Sequence, residues 1–575
     1  MFGSLLANAR DDSGVGGSDK GGNRGIGRGV RLGAGGGAPG LLSADAVGDL
    51  ELDRLAADMV HPGIGHGTIQ NILTEAPTSL EAVAYRQDIV RDLWDQPDLA
   101  AALSRSIAKM QELTVYSRSA TEGVAPLLES VWRLSELSLY VELVESLCDS
   151  LGAASLTSAG LVSLQDELAE RRSQPDFQSL RNELPELQSG LRLRRSRTIG
   201  VNLDDRLRPV EAALISVNEK PFTESQFLSR FFGASGGDPF VTRTTLHRTA
   251  PGSLLDNDGR ERLPLSPLFQ ELEVVLRSVL RPLAKRLRSY VSIQTELFRG
   301  LIEELAFYLG GISFLRRLGA AGYSLSFPSL APAAERRTEF GGLFNLRLAA
   351  HRLQDNDRTP VVRNDLTLGD PNRLFVLTGP NGGGKTTFTQ AIGIAVVFAQ
   401  SGFPVPAAHA VVSPADVIAT HFPHEEDFED DLGGFEDEAR RISEIFDRVT
   451  DRSIVLLNEP LTSTAPAEAI VVSRDVLAGF RVIGVRGVFT THYHTLAAEA
   501  ASVNGHVDGL SRIGTLNAGI TAGGPAGTTI TRTYRITEGP PRGSSYAGDI
   551  AARFQIDLES LRERIRSRRT QAPAD

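Results

Sequence analysis

Between Ala44 and Gln174 apolar side chains recur every three or four residues, as in Leu103, Ile107, Met110 and Leu113, and again in Leu127, Val131, Leu134 and Leu137. That period puts them on one face of a helix, and turns near Gly63, Pro97 and Gly152 divide the stretch, so residues 44–174 are expected to form a helical layer. Over 175–262 the pattern changes. Ser196 to Asp204 alternates apolar and polar positions as a strand does, and Gly and Pro become frequent, so a small α+β insertion is expected there. Helical spacing resumes near Ser266 and runs toward Leu318, through Leu276, Leu280, Leu283, Leu287 and Tyr290 and then Leu297, Leu301 and Leu305; Pro282 marks a kink or a start. Residues 263–342 are therefore read as returning helices. From Leu343 short apolar runs, Leu374–Leu377, Ile454–Leu457 and Gly487–Thr490, alternate with helical segments, the pattern of a layered α/β domain over 343–575.

Residues 1–43 follow neither period. Of the first 40 residues 14 are glycine, with too little apolar surface to offset the entropy of ordering, and a disordered tail is expected. The 575 residues carry 71 acidic against 60 basic side chains, a net charge of −11, so the chain is not of the strongly basic type that coats polyanions; any such site must be a local patch. One cysteine, Cys148, excludes an internal disulfide framework and a cysteine-rich zinc site. Charges break the apolar stretches before a membrane-spanning length is reached, and the N-terminus lacks the form of a signal peptide. A cytoplasmic protein without membrane contact is expected.

The chemistry concentrates in the α/β region. The strand Arg373–Thr378 runs into Gly379, Pro380, Asn381, Gly382, Gly383, Gly384, Lys385 and Thr386, with a helical stretch from Thr387, a phosphate-binding loop in its strand–loop–helix context. Glycines let backbone N–H groups turn toward phosphate oxygens, Lys385 supplies a point charge to the β- and γ-phosphates, and Thr386 offers a hydroxyl to Mg²⁺. Downstream, the apolar run Ser453–Leu457 ends in Asn458 and Glu459. Glu459 is the candidate base for an attacking water. Asn458 stands where an aspartate would help hold the magnesium shell; an amide oxygen lacks the negative charge, so weaker magnesium binding or slower turnover is expected.

Taken together, the loop through Thr387, Ala399–Ala407, Leu456–Glu459, Ser463-Thr464 and Phe489–Leu496 resemble the ATPase domain of the MutS DNA mismatch repair family in order and spacing. The resemblance implies that His492 senses the γ-phosphate, with His494 the lesser candidate. It further implies that Gly433 and Gly434, ahead of a helix over Ala439–Val449, form a signature loop completing the ATP site of a second subunit. Tyr534–Gly539, Ser545-Tyr546 and Ala551 resemble the closing strand and helix, and Thr78–Val90 the start of the helical core. His492 and His494 as a zinc pair are rejected, since no third ligand lies near in sequence. The acidic run Glu425–Asp431 reads as a solvated loop. The family's mismatch-reading wedge has no counterpart in this sequence.

The resemblance thus implies an α plus α/β multidomain protein: a disordered glycine-rich tail (1–43), the first part of a helical core (44–174), a clamp-like insertion (175–262), returning lever helices (263–342) and a P-loop ABC-type ATPase domain (343–575). Arg192, Arg194, Arg195 and Arg197 fall where the family carries its DNA clamp and could neutralise phosphates. A second set, Arg277, Arg281, Lys285 and Arg288, reads as a solvated helix face. The expectation is a homodimeric MutS-like ATPase that uses ATP and Mg²⁺ to clamp mismatched, branched or otherwise structured DNA in repair or recombination. The alternative is a switch protein that binds ATP, hydrolyses little and regulates a protein partner. An ABC-type transport ATPase would share Glu459-Pro460 but requires a Leu-Ser-Gly-Gly-Gln signature that this sequence lacks.

Overall fold

A strand covered on both faces needs no polar alternation, and the apolar runs of the C-terminal half form such strands. The computed structural model describes residues 42–43, 45–119, 126–192, 196–203, 209–218, 296–423, 434–523, 529–541 and 555–571. The strands, in chain order, are β1 (Ser196–Leu203), β2 (Pro209–Asn218), β3 (Ser329–Leu330), β4 (Thr338–Leu343), β5 (Asn364–Leu368), β6 (Asn372–Thr378), β7 (His409–Val412), β8 (Ile418–His421), β9 (Ile454–Asn458), β10 (Arg486–Thr490), β11 (Arg512–Gly523) and β12 (Thr529–Glu538). Among the described residues no helix is long and apolar enough to cross a membrane.

The chain divides into two compact units, one of residues 1–104, 154–163 and 301–575, the other of 105–153 and 164–300. The first holds a six-stranded sheet in the order β12-β11-β6-β10-β9-β8, parallel except for β12, and a four-stranded sheet in the order β3-β7-β4-β5. On one face of the larger sheet Leu374, Val376, Val455, Leu457 and Phe489 pack with Ile442, Leu477, Phe480 and Leu496 from the helices Gly434–Arg448, Pro466–Ile483 and His494–His506. The helix Lys385–Gln400 is buried along most of its length, and Gly393 lets Leu50 and Leu456 approach so closely that a Cβ there would lie 2.6 Å from Leu50. Between the sheets the Arg486 side chain is fully buried. Its guanidinium donates to the carbonyls of Arg337, Ser413, Pro414 and Arg452 and to Thr338 Oγ1. Burial, against the pull of Asp416, brings the pKa of this group down to about 10.

Three expected boundaries move. The tail does not extend through residue 43: Leu42 is buried and pairs in parallel with Ile418 on the edge strand β8. The Ser43 N–H donates to the Ile418 carbonyl at 3.0 Å, and Ser43 Oγ accepts from the Thr420 N–H at 3.2 Å. The helical layer 44–174 is not one body, because the helices Ala46–Asp49, Leu52–Asp58, His66–Thr74 and Leu80–Asp95 fall in the same unit as the sheets. One physical reason is Gln400, whose side chain donates to the carbonyls of Pro77 and Ala415 and accepts from the Ala415 N–H inside the core. Finally, β3 and β4 belong to the smaller sheet, so the sheet region begins before residue 343 and 263–342 is not helical throughout.

The second unit is described by the helices around Pro126–Gly152 and Pro175–Arg192 and by the antiparallel hairpin of β1 and β2, paired from Ser196↔Asn218 to Leu203↔Pro209 with register shifts after Thr198 and Asn202. Tyr140 sits edge-on to Phe177 and Phe298, with ring centroids 5.9 and 6.0 Å away. Arg192 ends its helix and Arg197 lies in β1 opposite Val217, whereas Arg194, Arg195, the second basic set and the acidic run 425–431 lie outside the described residues.

One local junction is held by a single carboxylate. Asp92 is buried, and its oxygens accept from the N–H groups of Thr157 and Ser158 (2.9 and 2.8 Å) and from Thr157 Oγ1 (2.7 Å), fixing the entry to the helix Ala159–Ser173. Burial pushes this carboxyl up, but the hydrogen bonds outweigh it and hold the group below its ordinary value. A depressed carboxylate stabilises the fold above the unfolded pKa and loses that contribution as pH falls through the folded one. Asp92→Ala is therefore expected to lower unfolding free energy by about 1–3 kcal/mol at neutral pH. In denaturant titrations the gap from the unmodified chain should narrow below about pH 4.

Candidate phosphate-binding site

The site is assembled where β6, β9 and β10 end side by side. β6 delivers buried Thr378 into a turn in which Gly379, Gly382 and Gly384 take φ of +144°, +71° and +88°, a region that side chains with a Cβ avoid. The helix then begins at Lys385 with Gly384 as its N-cap, so the free N–H groups of its first turn face the loop. Asn381 and Gly382 are exposed, Gly383 is buried, and the Thr387 carbonyl accepts from Asn345 Nδ2 at 2.9 Å.

Lys385 is only 4% exposed. Its Nζ donates to the carbonyls of Gly379 (3.0 Å) and Pro380 (3.4 Å) and pairs with Glu459 Oε1 at 3.0 Å. Parallel pairing sets Asn458 of β9 opposite Thr490 of β10, and Asn458 Oδ1 accepts from Thr490 Oγ1 at 2.8 Å and from Thr386 Oγ1 at 3.1 Å. Glu459 leaves the strand with φ +49°, its N–H donating to Thr490 O and Oγ1, and this left-handed step accompanies the turn of the carboxylate toward Lys385. Glu459 Oε2 also lies 3.6 Å from His492 Nδ1. The structure thus brings Lys385, Thr386, Asn458, Glu459 and His492 together.

His494 opens the next helix, and its Nδ1 is buried without a hydrogen-bond partner among the described residues. Burial, then the charges of Lys385 and His492, hold this imidazole below the ordinary histidine value. Gly434 is the first residue of its helix, which starts well before Ala439, while Gly433 lies outside the described residues. In that helix Glu438 is buried, and burial raises its carboxyl against the opposing influence of Ser463 and Arg441.

The loop is covered by a feature that no sequence motif marks. In the β11–β12 hairpin Ala518 pairs with Ile536 and Ile520 with Arg532, which leaves an extra pair of residues on β12 opposite Gly519. Tyr534 in this bulge has φ +56°, and Asn364 of β5 clasps it, donating to the Tyr534 carbonyl at 3.1 Å and accepting from the Ile536 N–H at 2.8 Å. The bulge lies against the loop. Cβ atoms on Gly382 and Gly384 would lie 3.1 Å from Arg532 Cζ and 3.2 Å from Tyr534 Cδ1, and one on Gly379 would lie 2.6 Å from the Ala518 Cβ. In the sequence only Tyr534–Gly539 stands out here, as resembling a closing strand, and no local pattern marks the bulge.

The molecule is therefore helical in one part and layered α/β in the other, with a glycine loop between a central strand and a buried helix. Residues 375–547 match MutS domain V, and residues 78–321 match the MutS2 N-terminal domain. The chain belongs to the MutS family. It is 31% identical over 321 residues to the endonuclease MutS2 of Thermus thermophilus, covering 56% of this chain and 40% of that protein. To the endonuclease MutS2 of Geobacillus thermodenitrificans it is 29% identical over 325 residues, 56% of this chain and 38% of that one. To the DNA mismatch repair protein MutS 2 of Halobacterium salinarum it is 31% identical over 212 residues, 36% of this chain and 25% of that one. The match to the first two spans about two-fifths of their length.

Two glycine substitutions should have opposite signs. Gly379→Ala places a Cβ into Ala518 at a φ of +144° and is expected to destabilise by about 1–3 kcal/mol. Gly505→Ala, in the helix His494–His506 with nothing within 4 Å, should be neutral or stabilising by up to about 1 kcal/mol. Thermal melts of the two variants beside the unmodified chain check the pair.

Proposed function

We propose that this chain is a DNA-binding ATPase of the MutS type that couples ATP binding and hydrolysis to clamping on mismatched, branched or otherwise structured DNA, in repair or recombination. The observation that carries the proposal is the grouping of Lys385, Thr386, Asn458 and Glu459 around the glycine loop. The loop N–H groups and Lys385 bind the phosphates, where positive potential must compensate a polyanion. Before nucleotide arrives, the Lys385 ammonium is shared between two carbonyls and Glu459. Phosphate oxygens compete for that ammonium, which releases the Glu459 carboxylate to accept a proton from the attacking water. His492, beside Glu459, is placed to respond to the γ-phosphate.

The oxygens of Thr386 and Asn458 fit a magnesium ion in chemistry: a hydroxyl and an amide oxygen already within hydrogen-bond distance of each other beside the loop. Bound there, magnesium would neutralise charge building on the phosphates. Asn458 contributes no negative charge, which favours slow turnover. In a homodimer, Gly433 and Gly434 would complete the partner's ATP site. Arg192, Arg194, Arg195 and Arg197 would contact DNA phosphates. Two of the relatives are named endonucleases, and that activity is theirs.

The neutral Asn458 also supports a second reading, in which ATP binding without appreciable hydrolysis sets the geometry for a protein partner. Steady-state ATPase assays separate the two. Glu459→Gln should keep ATP binding and lose about 10²–10⁴-fold in hydrolysis. Turnover in the unmodified chain no greater than in Lys385→Ala would leave only the switch reading.

DNA binding has its own test, equilibrium titration of homoduplex, mismatched duplex and four-way junction DNA across a salt series with and without ATP. Replacing the four arginines by alanine should weaken binding and flatten the dependence of log K on log salt by about 0.9 for each phosphate that is no longer neutralised. Absence of binding at low salt would reject the DNA reading.

A further inference from the structure

Arg532 stands on β12 at the mouth of the phosphate loop, two residues before Tyr534. Relative to the Cβ position of Gly382, its Cζ, Nη1 and Nη2 lie at 3.1, 3.2 and 3.4 Å, so the whole guanidinium lies against that glycine. Any larger residue at 382 would push it away. The side chain is exposed, and among the described residues it makes no ion pair or hydrogen bond. Its position is nonetheless fixed from below. The bulge opposite Gly519 and the clasp of Asn364 on Tyr534 and Ile536 set this part of β12 against the loop.

The charge distribution gives the arginine a role. Lys385, inside the loop, already has its three donors engaged by Gly379, Pro380 and Glu459. A nucleoside di- or triphosphate brings more negative charge than one shared ammonium compensates. Among the described residues Arg532 is a cation that touches the loop from outside with its donors uncommitted, and a guanidinium presents a planar fork that matches two phosphate oxygens. We infer that Arg532 is a phosphate-binding residue of the nucleotide site, swinging from the face of Gly382 onto the oxygens of a nucleoside di- or triphosphate and favouring these over the nucleoside. This rests on the nucleotide reading of the loop proposed above.

Calorimetric titration of ATP, ADP and adenosine into the full chain tests it, with Arg532→Gln, Arg532→Lys and Lys385→Ala alongside and circular dichroism to verify folding. Arg532→Gln should weaken ATP and ADP by about ten- to a hundredfold and leave adenosine unchanged, with Arg532→Lys intermediate. Two results overturn the assignment: ATP affinity of Arg532→Gln within about twofold of the unmodified chain, or an equal loss for ATP and adenosine, the mark of an arginine that only shapes the loop. If the unmodified chain binds ATP no better than Lys385→Ala does, the nucleotide reading itself fails, and the arginine's role fails with it.

Discussion

A lysine buried to 4% exposure has to be compensated, because an unpaired buried charge costs several kcal/mol. Here the compensation comes from two loop carbonyls and from Glu459, which lies in another part of the chain and reaches Lys385 only because β6, β10 and β9 are neighbours in one parallel sheet. The sheet order therefore serves electrostatics as well as packing. A slip of β9 by one residue would turn Asn458 away from Thr386 and Thr490 and move Glu459 off the ammonium. Because these strands are apolar on both faces, alternation does not single out a register, and the polar side chains at their ends, Asn458 opposite Thr490, mark the one on which that charge balance depends.

Much of this was readable from the residues. Leu374–Leu377, Ile454–Leu457 and Gly487–Thr490 form strands because their lack of polar alternation suits burial on both faces. The loop was readable because glycines with positive φ ahead of a lysine leave few other conformations. What stayed hidden has different physics. The bulge that carries Arg532 and Tyr534 depends on the register of β11 against β12 and on Asn364 from a distant strand, none of which leaves a local period. Leu42 and Ser43 lie at the end of a glycine-rich stretch whose composition argues against order, yet a short pairing with β8 settles them. The unit boundary near residue 104 falls inside the continuous helix Pro97–Ser119, whose period does not change there.

The site is also tied to elements that carry no phosphate chemistry. Glu438, in the helix that Gly434 opens, is buried, and Ser463, just beyond Glu459, opposes the upward shift that burial gives its carboxyl. From the same helix Arg441 pairs with Asp45 at 2.9 Å, and Arg448 donates to the Leu42 carbonyl. These two interactions tie the helix to Leu42 and Asp45.

The pairing of Leu42 and Ser43 with β8 has a consequence for behaviour at high concentration. A sheet edge with unpaired backbone groups is a template on which a strand of another molecule can add. Ser43 engages both the carbonyl of Ile418 and the N–H of Thr420, so this stretch of β8 is protected against edge-to-edge aggregation by its own chain.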